Sequence, residues 1–437
     1  MKIAFRNNWS LGVALVAITA AVAAGPAAAF CGFYVAQAGS KLFNKSSKVV
    51  LARDGQTTAI TMASDYEGDA KEFALVVPVP TFIERKQIGV VDMKTIDHLD
   101  AYSAPRLVEY FDQDPCHPPP MPVANFAAGS GPIMHRMLKG ASATGVTVEA
   151  SYDVAEYDVS ILSATQSDGL VAWLGDNGYK IPAGAEEVLG SYIKQNMHFF
   201  VAKVNLDRMK LIGAGYLRPL QVRHDSPKFM LPLRLGTVNA SGPQDLVVYA
   251  LTRHGRVEAV NYPNIKMPSD MDVPLYVKDD FGPFYKAAFE KVVAKARMRA
   301  VFVEYAWNMG WCDPCAAQPL ANKELTELGA RWLGDSEAPV GRGVEAYVTR
   351  MHVRYDANSF PEDIAFEETA DAENFQARYV LRHPWSGAAD CPAGATYRAG
   401  LPADFAKQVE TLVALTDWPR KEIEARMRLS GQPVGGR

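Results

Sequence analysis

Lys48-Val49-Val50-Leu51-Ala52-Arg53-Asp54-Gly55-Gln56-Thr57-Thr58-Ala59-Ile60-Thr61 reads as two strands around a tight turn. Val49-Val50-Leu51 is β-forming, Asp54-Gly55 is a hairpin signal, and Thr57, Ala59 and Thr61 alternate with their neighbours. The run Phe73-Ala74-Leu75-Val76-Val77 that follows is almost continuously apolar, as in a strand covered on both faces. Residues 91–112 then change period. Met93, Ile96, Leu99, Tyr102, Leu107, Tyr110 and Phe111 stand near helical spacing.

From Asp114 to Pro120 the prolines forbid a helix, and Gly129 to Gly131 keeps the chain loose, so residues 114–131 read as a loop. Thr147-Val148-Glu149 and Tyr152-Asp153-Val154 look like a strand pair. Short helices follow near Leu170–Leu174 and Ala185–Lys194. Phe199–Val204, Leu231–Val238 and Leu246–Thr252 read as strands, with His254-Gly255 as a further hairpin turn. Phe284–Met298 is an amphipathic helix, Ala300–Tyr305 an apolar strand and Leu325–Leu333 a helix. Val344–Tyr355, Ile364–Glu367 and Phe375–Leu381 are strands; residues 403–415 and 419–428 are helical. The interleaving is irregular, so the fold class is α+β (mixed α/β), with several mainly antiparallel sheets and interleaved helices. The expected segments are a β-rich stretch plus helix at 30–125, a central α+β domain at 145–270, and a C-terminal α+β domain at 280–437.

The chain has 437 residues, 48% of them hydrophobic, which excludes a disordered or collagen-like protein. Lys and Arg number 45 against 49 Asp and Glu, a net charge of −4 that lacks the basic footprint of a nucleic-acid binder. At the N-terminus, Lys2 and Arg6 precede the apolar run Leu11 to Ala24. Gly25-Pro26 breaks that run, and Ala27-Ala28-Ala29 is a small-residue cleavage site. The run holds about 14 residues, short of the about 20 a membrane span needs. Residues 1–29 are therefore expected to be a signal peptide cleaved after Ala29, giving a soluble exported protein, periplasmic or secreted, with no transmembrane span in the mature chain. Phe30 before Cys31 argues against a lipid anchor.

Export makes the cysteines disulfide candidates: Cys31, Cys116, Cys312, Cys315 and Cys391. The odd count leaves at least one outside a bridge, and spacing alone does not choose the connectivity. At least one disulfide involving Cys312 or Cys315 is expected. Trp311-Cys312-Asp313-Pro314-Cys315 follows an apolar strand, as in thioredoxin-like oxidoreductases. Against that, Pro319 interrupts any helix after Cys315, and the Asp313 carboxylate opposes a neighbouring thiolate. A structural cysteine pair is the reading preferred here.

Zinc on Cys312 and Cys315 would need partners such as His117 or His383, but no second ligand pair has the required spacing. Ala316 removes the haem-attachment signature. Met134-His135, Met197-His198 and Met351-His352 are read as packing beside satisfied imidazoles. No metal and no cofactor are expected. Hydrolase and nucleotide-binding motifs are missing, so no catalytic residue is assigned. The acidic residues Asp65, Glu67 and Asp69 around Gly68, and the stretch Glu362 to Glu373, read as solvated surface.

Several motifs together resemble one family. They are Tyr66-x-Gly68-Asp69-Ala70, Phe73-Ala74 and Val77-Pro78-Val79-Pro80, then Ala104-Pro105-Arg106 running to Pro115-Cys116. Asn177-Gly178-Tyr179, Glu304-Tyr305-Ala306-Trp307 before the Cys312–Cys315 loop, and Tyr347-Val348-Thr349-Arg350 continue the set. Gln376-x-Arg378-Tyr379-Val380-Leu381-Arg382-His383-Pro384 closes it. The chain resembles the bacterial family called domain of unknown function 2330. That resemblance implies an exported protein without an assigned activity and carries over no catalytic residue. Two functions follow as expectations. One is a non-enzymatic envelope or secreted protein that binds a partner or extracellular ligand. The other is a periplasmic thiol–disulfide oxidoreductase using Cys312 and Cys315.

Overall fold

The computed structural model describes residues 33–37, 43–67, 73–117, 147–164, 166–177, 179–181, 184–211, 217–238, 240, 242–312, 315, 317–341 and 344–434. Residues 1–29 (expected to be a signal peptide), Cys31, Gly68, Asp69, residues 118–146 with His135, Gly178, Asp313 and Pro314 lie outside the described residues.

The quoted hairpin forms as read. Phe43–Asp54 pairs antiparallel with Thr57–Glu67, and Gly55 closes the turn at φ +58°, which a side-chain-bearing residue resists. Both faces of this hairpin are buried, so its apolar residues run on instead of alternating. Val49 and Leu51 enter one core, Val50 and Ala52 another. The hairpin lies in a nine-stranded sheet. Its order is 264–266, 301–308, 347–355, 244–252, 43–54, 57–67, 220–225, 88–90, with 375–376 beside 301–308. Strands from all three expected segments meet in it. Two neighbouring pairs are parallel, 244–252 with 43–54 and 264–266 with 301–308; the others are antiparallel.

A six-stranded antiparallel sheet, ordered 147–154, 157–163, 198–204, 73–79, 33–37, 179–180, packs on the first. Leu75, Val77, Ile161 and Phe200 from it share a core with Val49, Leu51, Val248 and Met351. Helices cover the outer faces. Leu170, Leu174, Leu189 and Tyr192, from helices Ser167–Asp176 and Ala185–Ile193, pack on Ala74, Val76 and Phe199. Ile96, Leu99 and Tyr102 of helix Met93–Ser103 cover Val50, Tyr249 and Tyr305. A separate layer joins a three-stranded parallel sheet, 271–273, 378–383 and 106–111, to helices Phe281–Lys295, Pro392–Thr416 and Arg420–Leu429. The architecture is α+β with mainly antiparallel sheets. No helix among the described residues is long and apolar enough to cross a membrane.

Local corrections have local causes. Residues 91–112 are not one helix: it ends at Ser103, because Ala104 precedes Pro105 and is held extended, and Arg106–Phe111 becomes a strand. Residues 147–154 are one strand with an irregularity between Val148 and Ala150, not two strands. The strand expected over 231–238 stops at Leu231, because Pro232 cannot donate to a ladder. Arg234–Val238 is instead helical, and the Asp363 carboxylate accepts the N–H groups of Leu233 and Arg234. His254-Gly255 does not fold a hairpin back on 244–252. It leads to Val257–Ala259, which pairs with 364–368. Gly255 approaches that segment so closely that a Cβ would lie 2.3 Å from the Thr369 carbonyl oxygen.

Candidate functional site

Four of the five cysteines stand in two pairs at disulfide distance. Cys312 and Cys315 have Cα atoms 5.0 Å apart, and Cys116 and Cys391 have theirs 5.9 Å apart across 275 residues. Cys312 packs against the core under the nine-stranded sheet, while Cys315 is exposed. Trp311 beside them is 44% exposed and packs on Trp307. The following helix begins only at Asn322, so neither sulfur caps a helix there. The second pair ties the exit of strand 106–111 to the start of helix Pro392–Thr416.

The histidines considered for zinc are held elsewhere. His117 Nδ1 lies 3.2 Å from Asp114, and His383 Nε2 lies 2.8 Å from Glu109 with its ring stacked on Phe111. Among the described residues no group of three or more His, Cys, Asp or Glu is placed to hold a metal. His198 faces Glu149 at 3.5 Å, and burial pulls its pKa down. The stretch Glu362 to Glu373 is not wholly solvated surface. The Asp363 side chain is buried, accepting the Tyr192 hydroxyl at 2.7 Å as well as two backbone N–H groups. These donors and the Arg234 guanidinium at 3.4 Å compensate the buried carboxylate.

The strongest electrostatic feature is one that motif reading missed. Seven charged side chains form a ladder on the helix-covered face of the nine-stranded sheet. At its centre, Glu304 lies where the register of strand 301–308 shifts against 347–355, between Val303 and Tyr305. Such an irregularity re-aims a side chain. Its carboxylate accepts Arg350 Nε at 2.5 Å, His352 Nδ1 at 2.9 Å and the Tyr285 hydroxyl at 2.5 Å. Arg350 and His352 share a strand face because their spacing is two. Arg350 reaches on to Asp100 at 2.5 Å, and Asp100 takes the Tyr249 hydroxyl at 2.6 Å and Lys48 at 2.8 Å. On the other side, His352 Nε2 faces Asp245 at 3.6 Å. Arg354 binds both oxygens of Asp245 at 2.8 Å. Phe289 stacks on the His352 ring at 3.7 Å and seals it.

Burial by itself would raise the Glu304 pKa, but Arg350 and His352 overcome it and hold the carboxyl down at about 2. Burial likewise works against Asp100, yet Arg350 and Lys48 bring it to about 2. For His352, burial favours the neutral ring, but Glu304 and Asp245 win and its pKa is raised. Carboxylates on both nitrogens need two donors, which only the imidazolium has. Every charged group in the ladder is paired with an opposite charge within it. With Tyr285 and Phe289, the ladder joins four strands, 43–54, 244–252, 301–308 and 347–355, to the two helices Met93–Ser103 and Phe281–Lys295. A signal was present in the sequence: Glu304 and Arg350 each interrupt a β-forming apolar run, and a charge buried there must be paired.

A cleft of about 240 Å³ lies between the parallel sheet and helix Pro392–Thr416, lined by Asp112, Asp272, Arg382, Leu401, Asp404 and Lys407. Its charges are paired within the chain, Arg382 with Asp272 at 3.2 Å and Lys407 with Asp404 at 2.9 Å.

The chain matches no curated protein and no solved structure. A family profile, described as an uncharacterized protein conserved in bacteria, matches residues 25–367. That span takes in Cys116, the Glu304–Arg350–His352 ladder and the Cys312–Cys315 loop, whereas Cys391 and the last two helices lie past its end. The chain belongs to this bacterial family, domain of unknown function 2330.

Proposed function

We propose that the mature chain is exported and acts by binding a partner or an extracellular ligand, not by catalysis. The observation that carries this reading is the placement of Cys116, Cys391, Cys312 and Cys315 in two pairs at disulfide distance. Such pairs persist in oxidising compartments, in keeping with the leader at residues 1–29. The buried ionisable groups around Glu304 neutralise one another, which favours a scaffold over an active site. Exposed Trp311, Tyr110 and Phe111 offer aromatic contact surface.

Exposed Cys315 beside Trp311 favours a second reading, a thiol–disulfide oxidoreductase on Cys312 and Cys315. The helix starting only at Asn322 weighs against it, since no helix N-terminus lowers either thiol's pKa. The test is recovery of the protein from the periplasm or medium of cells expressing the full chain. N-terminal sequencing is expected to begin at Phe30, and the unreduced, denatured protein to titrate with one free thiol. An intact Met1, an acylated Cys31 or five free thiols overturns the export reading. A reduction potential for Cys312–Cys315 below about −300 mV fits a structural bridge, and one well above it favours the oxidoreductase.

A further inference from the structure

We infer that the Cys116–Cys391 bridge is a thiol–disulfide exchange site, opened by a dithiol that attacks Cys116 and releases Cys391 as the thiolate. The inference rests on the exported, oxidised reading above and concerns the cysteine pair that contains no Cys-x-x-Cys motif.

The two sulfurs stand in opposite electrostatic surroundings. Cys391 is the N-cap of helix Pro392–Thr416, and its Sγ accepts the Gly394 N–H at 3.2 Å. A helix N-terminus stabilises negative charge and lowers the pKa of a thiol placed on it. Gly394 permits this contact: a Cβ there would lie 2.3 Å from the Ala389 carbonyl oxygen, so another residue would push the first turn away. Cys116 instead follows Asp114, whose carboxylate accepts the Cys116 N–H at 2.8 Å and lies 3.2 Å from His117. A carboxylate held at the cysteine's own backbone N–H disfavours a thiolate there. Of the other charges nearby, Asp390 is 89% exposed and 4.0 Å from Arg398, so solvent and that cation screen it.

Both cysteines are half-buried. The two segments are also held without the bridge. Tyr397 donates its hydroxyl to Asp112 at 2.6 Å and accepts the Trp385 N–H at 2.8 Å, so Cys391 keeps its cap after opening.

The chemistry balances. A thiolate of the dithiol attacks Cys116 Sγ, a mixed disulfide forms on Cys116, and the Cys116–Cys391 bond breaks with its electron pair on Cys391. The leaving thiol of lower pKa departs faster. The dithiol's second thiolate then displaces Cys116. The dithiol ends as a disulfide and the protein as two thiols, two electrons having passed to it.

The test uses the full chain under native conditions, opened with dithiothreitol and alkylated with iodoacetamide across a pH series, each cysteine read by peptide mapping. Cys391 is expected to react with a midpoint at least about one pH unit below the ordinary thiol value of about 8.5, hence about tenfold more thiolate at neutral pH. Cys116 is expected at or above 8.5. With limiting glutathione and N-ethylmaleimide as trap, the glutathione adduct should sit on Cys116 and the maleimide on Cys391. The single variant Cys116→Ser should keep the low Cys391 midpoint. Equal midpoints, a lower value for Cys116, or glutathione on Cys391 overturns the inference. Free thiols at both positions in the untreated protein would instead overturn the oxidised reading, before any dithiol is added.

Discussion

The same kinds of ion pair occur in two regions of this molecule, under the nine-stranded sheet and along the rim of the parallel sheet. Under the sheet, Arg350 and Glu304 have side chains only 10% and 1% exposed. On the rim, Arg382 and Asp272 are 44% and 41% exposed, and they meet at 3.2 Å. Chemically the pairs match, yet their surroundings assign them different work. A buried pair adds little over an apolar pair of its size, but losing one partner strands the other without water. An exposed pair has water in reserve. The buried ladder therefore specifies which strands and helices come together, while the rim leaves the surface charged and adaptable.

The sharpest way to break this contrast is Glu304→Ala. Arg350 and His352 would lose their shared acceptor, and the Tyr285 hydroxyl its partner. The expected loss is about 3–5 kcal/mol in urea unfolding, the range for leaving a buried charge uncompensated. A loss below about 1 kcal/mol would place the ladder in the same class as the rim. Replacing Glu304 and Arg350 together should cost less than the sum of the single changes, since the double variant strands fewer charges.

Next in size is a contrast between two buried histidines. His352 sits between carboxylates, whereas His224 is buried beside Arg53, and its Nδ1 has no hydrogen-bond partner among the described residues. Burial and then Arg53 push the His224 pKa down to about 4. Between pH about 6.5 and about 4 the unfolded chain therefore takes a proton there that the folded chain refuses. Stability falls as the pH falls through that window, by on the order of 3 kcal/mol. His352 has the opposite sign. Its folded pKa is raised, so its contribution is whole below pH about 6.5 and is lost as the pH rises through the raised value. Urea midpoints measured across pH should flatten on the acid limb in His224→Leu and on the alkaline limb in His352→Gln. Unchanged limbs would show that neither ring titrates as its surroundings dictate.

How much of this could be read beforehand follows from which forces are local. The hairpin over 48–61 and the strand at 73–77 were legible because turn chemistry and apolar runs are written in neighbouring residues. Where an expectation failed, one residue or a distant partner decided. Pro105 ended the 93–103 helix, Pro232 stopped a strand, and Asp363 capped the helix at 234 from 129 residues away. The cysteines were visible as candidates, but the Cys116–Cys391 pairing depends on a parallel sheet assembled from three separated stretches. The ladder was not read beforehand. Glu304 and Arg350 are charges inside β runs, a signal passed over, and their meeting required the register between two strands, which no local pattern encodes.

The smallest expected effect is at the rim, and it sharpens the contrast from the other side. Arg382 lies 3.2 Å from Asp272 and 3.9 Å from Asp112, and its guanidinium sits 5.9 Å from the Tyr110 ring centre. Removing it exposes two carboxylates that water can solvate, so nothing is stranded. Asp112 also keeps its hydrogen bond from Tyr397. Arg382→Ala should therefore cost less than about 1 kcal/mol in 0.15 M salt, and the cost should shrink further as salt rises. The buried Glu304 variant should respond far less to salt, because its partners lie beyond the reach of screening ions. A salt-independent loss above about 2 kcal/mol for Arg382→Ala would mean that the rim pairs are as desolvated as the ladder, and the two regions would then differ in position alone.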